Sequence, residues 1–403
     1  MQRRHAITYF QTLSAAGFAA TAISYGPARI GFGLFVPEFR AAFDLSSSAI
    51  GFISSLGFAG FFVGLVIAQA LLMRRGPESP VLLGMVAATL GIALVAMATG
   101  VPMLALGVFI AASSAGFAWT PYNDAVHRKI NDEDRPTVLS RISTGTSIGI
   151  VLSGAAALAM VLTGIDWRIC WAAFAIASLG VLAINRRALH PIEKAPDRGD
   201  GKRWRELLTS AAMPMYAVAF IYGTTAAIYV SFAADWFTET GGVPGLPATA
   251  APAMIFMILG AFGLSGFLTE DARKSLGLTW LLRVMMLTGA GSLAAVSLWA
   301  GSWAALAVSA ALQGINVMMT SAVLAFWSER LFPTLPSMSF TAALLATAAG
   351  SIIGPALAGL AADAYGTPAM FLGAALLPLA GAVLLRTSLV RERPVTPFNA
   401  MPT

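Results

Sequence analysis

Few polar side chains interrupt the long apolar runs of this sequence, and any chemistry must reside in those few. Arg29 stands in "YGPARIGFGLFVPEF", residues 25–39, with no acidic residue nearer than Glu38. A guanidinium at the centre of a membrane helix costs about 2.5–3.5 kcal/mol on insertion scales, so it is kept where it has a partner, a wet cavity or a headgroup. Arg29 therefore has two readings. It is an interfacial anchor, roughly 7 Å inside the outer end of its helix and within snorkelling reach, or it faces a cavity and binds an anion. Tyr25 and Phe32 share its helical face with Gly26 and Gly33, which would supply an aromatic wall and a gap for a ligand.

The second half of the chain offers Gln313 and Asn316, three apart on one helical face, and the aromatic pair Tyr222 and Tyr229. Hydrogen bonding and packing between helices explain these residues as well as substrate contact does. All nineteen acids fall in loops or at the ends of apolar runs. Glu38 and Asp235 are the best placed of them to carry a proton in coupling, against the plainer reading of solvated interfacial acids. No grouping of acids, histidines and a nucleophile at one depth suggests an enzyme. The single Cys170 excludes internal disulfides, the three histidines lie outside the apolar runs, and neither a metal site nor a cofactor is expected. "RGDGKRW" lacks the spacing of a phosphate-binding loop, which argues against ATP-driven work.

The elements that position these residues follow from composition. Of 403 residues, 57% are hydrophobic and 11% charged, and the mean hydropathy is +0.76, which marks a polytopic membrane protein rather than a soluble domain. A spanning helix needs about 20 apolar residues. Apolar runs from 13–37 to 367–386 make twelve such spans, with the longest hydrophilic interruption at 186–207. The sequence therefore predicts an all-α membrane protein with an N-terminal six-helix bundle at 1–185, a cytoplasmic central loop at 186–207 and a C-terminal six-helix bundle at 208–403. Lys and Arg collect in the inner segments, including Arg3, Arg4, Lys194 and Arg198, while the outer ones hold only Arg40 and Arg168. Both termini are thereby expected in the cytoplasm, and the net charge of +6 reflects this sorting rather than a nucleic-acid partner.

Internal repeats support the division. A shift of 205 residues places Gly145, Gly149 and Gly154 on Gly350, Gly354 and Gly359. A shift of 197 places "YGPARIGFGLFVPEF" on "YGTTAAIYVSFAADW", matching Tyr25 with Tyr222 and Glu38 with Asp235, but Arg29 with Ala226. An architectural charge would be expected in both copies, so the asymmetry favours a substrate role for Arg29. Small residues four apart let helix backbones approach closely, either for static packing or for a moving interface.

With "GTSIGIVLSG" and "GSIIGPALAG", the latter carrying Pro355, the sequence resembles the major facilitator superfamily, whose fifth helix carries glycines ending in Gly-Pro. "QALLMRRGPE" keeps Arg74 and Gly76 of that family's Gly-x-Leu-x-Asp-Arg-x-Gly-Arg-Arg loop, with Gln69 and Met73 at the first Gly and the Asp. "AALQG" at 310–314 keeps the Gln-Gly of its fourth-helix signature. The resemblance implies two pseudo-symmetric six-helix bundles that rock about a central site, in a secondary transporter driven by gradients. On the inner side, Arg74, Arg75, Asp124, Arg128, Glu329 and Arg330 would form a cytoplasmic gate or serve only topology. The expected protein is a monomer in a bacterial inner membrane that moves a small organic anion or amphiphile past Arg29. Efflux of hydrophobic drug-like compounds is the alternative within this class, and a membrane sensor or receptor the alternative outside it.

Overall fold

The computed structural model describes residues 2–192 and 201–392, with side chains from Tyr9 to Ile192 and from Trp204 to Glu392. Residues 193–200 of the expected central loop, with Lys194 and Arg198, lie outside the described residues, as do the side chains of Arg3 and Arg4. In hydrocarbon every backbone amide must find its partner within the segment. The described chain is accordingly helical, with no strand among the described residues.

The first helix, α1 (Gln2–Ile23), runs into a π-helical turn at Ser24–Ile30, then α2 (Gly31–Leu34) and α3 (Val36–Phe43). Next come α4 (Ser47–Arg75), α5 (Glu78–Ala96), α6 (Val101–Gly116), α7 (Trp119–Lys129), α8 (Arg135–Thr163) and α9 (Trp167–Leu189). The second half holds α10 (Met213–Glu239), α11 (Ala251–Gly263), α12 (Thr269–Leu276), α13 (Leu278–Leu298), α14 (Trp303–Leu331), α15 (Pro336–Tyr365) and α16 (Thr367–Leu384). Among the described residues, eleven helical stretches are long and apolar enough to cross a membrane. The expected span at 13–37 is not among them; it is built from successive pieces. Gly26 leaves helical geometry at ψ −106 ahead of Pro27, which lacks an N–H for the helix ladder.

This first span also ends later than the sequence predicts. Pro37 sits in the first turn of α3, where a missing N–H costs nothing, so helix continues to Phe43 and stops at Asp44 with φ 51. Arg29 thus lies roughly 14 residues, or about 21 Å, from that end. The expected depth of about 7 Å beneath the helix end is corrected accordingly. Aromatic burial holds the extension in place. Phe35 packs on Trp171 at 5.6 Å between ring centroids and Phe39 on Trp167 at 5.0 Å, both on α9.

The glycine repeat places backbones against backbones. A Cβ on Gly145 would stand 2.3 Å from the Phe18 carbonyl oxygen, and one on Gly149 2.3 Å from that of Ala22, so α8 lies directly on α1. The second half repeats this with α15 on α10, where Gly350 and Gly354 would meet the carbonyls of Phe220 at 2.2 Å and Thr224 at 3.0 Å. The third glycine of each run does something different. Gly154 faces the Ala253 carbonyl of α11 and Gly359 the Ser47 carbonyl in the first turn of α4, so each joins helices from different halves of the chain. Beside Gly359, the Pro355 carbonyl is approached by Gly51, where a Cβ would sit 2.3 Å away. Helices α9 and α16 bury least and present Ile176 and Val383 outward, as lipid-facing helices should.

Because a Cβ at position 149 meets backbone that cannot rotate away, Gly149→Ala should cost about 1–3 kcal/mol. Thermal unfolding of the purified protein in detergent will show this as a lower midpoint, while Gly180→Ala, with nothing within 4 Å, leaves the midpoint unchanged.

Candidate functional site

Helices from both halves of the chain enclose a cavity of about 360 Å³. It draws on the first half of α8, the second half of α14 and the first half of α15, so it lies toward the face where α1 begins. The π-helical turn delivers Tyr25 and Arg29 to its wall, α4 contributes Phe61, α7 Trp119 and α10 Tyr222. Arg29 is the one charged residue on the wall among the described residues.

The guanidinium of Arg29 is held by rings and not by acids. Its central carbon stands 4.1 Å from the centroid of Phe61, 5.3 Å from Tyr25 and 5.8 Å from Phe58. A cation over aromatic faces gains about 0.5–2 kcal/mol, less than full hydration supplies. No carboxylate or carbonyl of the described residues hydrogen-bonds it, so all five donors are left for water or ligand. Tyr222 closes the opposite side, with its hydroxyl donating to the Val317 carbonyl at 3.1 Å.

Four of the expected substrate contacts are placed elsewhere. Phe32 is buried and stacked on Phe39 at 5.6 Å, outside the cavity wall. Tyr229 is buried with its hydroxyl 3.1 Å from that of Ser309. Asn316 accepts from Thr320 at 3.2 Å and faces Gly289, and Gln313 is fully buried with neither side-chain N nor O hydrogen-bonded. On α14 the cavity face instead carries Val317, Met318 and Ser321. The equal spacing of the two faces along one apolar helix hides which of them looks inward.

The expected gate residues are dispersed on the face where α1 begins. Arg74, Glu329 and Arg330 are exposed, Arg330 lying 5.0 Å over the Phe326 ring. Asp124 and Arg128 pair with each other within α7. Gly76 ends α4 with φ 72, its N–H donating to the Leu72 carbonyl, which is a helix-stop role.

Charge instead closes the opposite face. Arg40 donates through Nε to both oxygens of Asp235 at 3.1 and 3.0 Å and through Nη2 at 2.5 Å, with Nη1 on the Leu45 carbonyl at 2.9 Å. The pair joins α3 to α10, across the two halves. Asp363 of α15 accepts from the N–H groups of Ser47 and Ser48 at 3.1 and 2.9 Å, placing a carboxylate on the N-terminus of α4. Beneath them the backbones of α2 and α10 touch: a Cβ on Gly33 would stand 2.0 Å from the Val230 carbonyl. Asp235 and Glu38 are therefore not solvated acids. Asp235 is 4% exposed within its ion pair, and Glu38 keeps one buried carboxyl oxygen without a hydrogen bond. In the sequence Arg40 counts toward topology alone; its signal is position, two residues beyond Glu38, the acid whose copy in the second half is Asp235.

If Arg40 and Asp235 latch this face, Asp235→Asn should cost the closed state about 1–3 kcal/mol, the worth of a charge-assisted contact. In a Cys170→Ser background carrying Val230→Cys, an impermeant maleimide added from that face should then label about tenfold faster. An unchanged rate would rule the latch out.

Comparison with known proteins agrees with this architecture. Among solved structures, a POT family transporter in complex with 5-aminolevulinic acid matches with a TM-score of 0.75 at 13% identity, covering 93% of this chain and 94% of that one. The nucleoside transporter NupG matches at 0.72 with 12% identity over 95% and 100% of the two chains. A bacterial homolog of the human lysosomal transporter Spinster, inward-facing and occupied, matches at 0.69 with 14% identity over 93% and 94%. Such identities establish the fold. By sequence the chain is 27% identical over 191 residues to monocarboxylate transporter 13 of Rattus norvegicus, 47% of this chain and 44% of that one. It is 27% identical over 206 residues to the same transporter of Bos taurus, 50% and 47% of the respective chains. The chain thus spans about half the length of the curated relatives it matches. A family model described as Major Facilitator Superfamily matches residues 13–289, and the chain belongs to that superfamily of membrane solute transporters.

Proposed function

We propose that the protein moves a small organic anion or amphiphile across a bacterial inner membrane by alternating access, and that Arg29 is the contact for the anionic group. The observation that carries this reading is the Arg29 guanidinium, packed on Phe61 and Tyr25, facing the cavity and bearing no acid. A carboxylate would bring the charge-assisted hydrogen bonds that the protein itself does not provide. The likeness to monocarboxylate transporter 13 supports the same class of solute. The two moving units are 1–185 and 208–403, linked by 186–207, with both termini in the cytoplasm and the cavity on that side. In this state the latch at Arg40 and Asp235 closes the outer face. Transport needs no covalent step from the chain, and a monomer in the bilayer suffices.

Reconstituted into proteoliposomes and screened with small carboxylates, the protein should show uptake that Arg29→Gln lowers about 10- to 100-fold, the worth of a lost charged contact. Arg29→Lys should fall between the two, keeping the charge but not the planar fork. Unchanged uptake in Arg29→Gln would overturn the anion reading and favour efflux of apolar compounds along the same cavity.

A further inference from the structure

The cavity wall is unevenly polar. Helix α8 lines it with Ser140, Ser143, Thr144, Thr146 and Ser147, whereas the second half of the chain brings mainly apolar side chains such as Leu264, Met318, Phe340 and Leu344, with Ser321 and Thr347 among them. Thr144 returns its proton to the Ser140 carbonyl at 2.8 Å. The hydroxyls of Ser140, Ser143 and Ser147 have no hydrogen-bond partner among the described residues. Ser147 is the telling member. It is 1% exposed and still lines the cavity. Its Oγ points to Gly263 across the seam between the halves, where a Cβ would stand only 2.8 Å from it. Glycine at that position leaves the room in front of the hydroxyl open.

The register of α1 and α8 sets the distance from Arg29. Gly26 lies against the Gly149 carbonyl, where a Cβ would sit 2.7 Å away. The two helices run parallel, so the Cα of Arg29 is level with about residue 152 and Ser147 lies roughly 8 Å nearer the open end. Side chains lean toward the N-terminus of their helix, and Arg29 and Ser147 share the wall of the one cavity. A molecule anchored on Arg29 therefore runs along α8, one edge on a row of hydroxyls and the other mainly on apolar carbon.

Resting on the anion reading above, we propose that Ser143 and Ser147 form a second subsite that selects organic anions bearing hydroxyl or similar hydrogen-bonding groups along one edge, over fully apolar acids of the same shape. A serine hydroxyl both donates and accepts, so it rewards such a group and is left unmet by its apolar analogue.

The test uses the full chain in detergent and two acids of one shape, hydrocinnamate and its catechol analogue dihydrocaffeate, with binding measured by calorimetry. Dihydrocaffeate should bind about tenfold more tightly than hydrocinnamate. The double variant Ser143→Ala with Ser147→Ala should abolish that preference and leave hydrocinnamate binding unchanged, while Ser143→Thr, which keeps the hydroxyl, retains it. Gly263→Ala should weaken dihydrocaffeate alone. Arg29→Gln should weaken both acids equally. Equal wild-type affinities, or a double variant that weakens both acids alike, overturn the subsite and leave the role of Arg29 standing. Affinities for both acids that ignore Arg29→Gln, or no binding of either acid, overturn the anion reading and the subsite with it.

Discussion

A guanidinium on aromatic faces, without a carboxylate beside it, is tolerable within a membrane only where water or a ligand can reach it. That single constraint organises the molecule. Cation–π contact with Phe61 and Tyr25 recovers part of the desolvation cost of Arg29, and the cavity supplies the rest. The cavity in turn exists because the helices that wall it diverge toward one face while they are drawn together at the other.

Backbone contact and charge share the work of drawing them together. Glycines bring α8 onto α1 and α15 onto α10, so each half of the chain has a rigid pair at its centre. At the face opposite the cavity, Gly33, Gly51 and Gly359 allow main chain to touch main chain across the halves. Close approach of this kind is rich in dispersion and poor in specificity. The ion pair of Arg40 with Asp235 and the cap of Asp363 on α4 add direction and a definite register to it. Both are built from groups that water can stabilise once separated, which suits contacts that must open and close.

The π-helical turn connects these two tasks. Gly26 and Pro27 interrupt the helix, and the interruption rotates α2 and α3 relative to α1. Arg29 then points into the cavity while Phe32, three residues later, joins the aromatic packing that carries α3 to its far end. One irregular turn thus aims the charge and positions the latch.

Much of this was legible in the sequence, for a definite reason. Apolar runs of spanning length, cation sorting and the glycine repeat are one-dimensional signals, because a bilayer imposes length and composition on each helix separately. They determined a helical membrane protein of two related halves, and they singled out Arg29, Tyr25 and Tyr222. The third dimension decided what helix spacing leaves open. Gln313, Asn316 and Tyr229 share helices with cavity residues but lie on other faces or at the closed end. Within a uniformly apolar helix, nothing in the periodicity distinguishes the wall of a cavity from a packed seam. Likewise Arg40 meets Asp235 from 195 positions away, and the depth of Arg29 comes from a helix that continues through Pro37. Contacts between distant segments depend on how whole helices are placed relative to one another, and only the tertiary structure determines that placement.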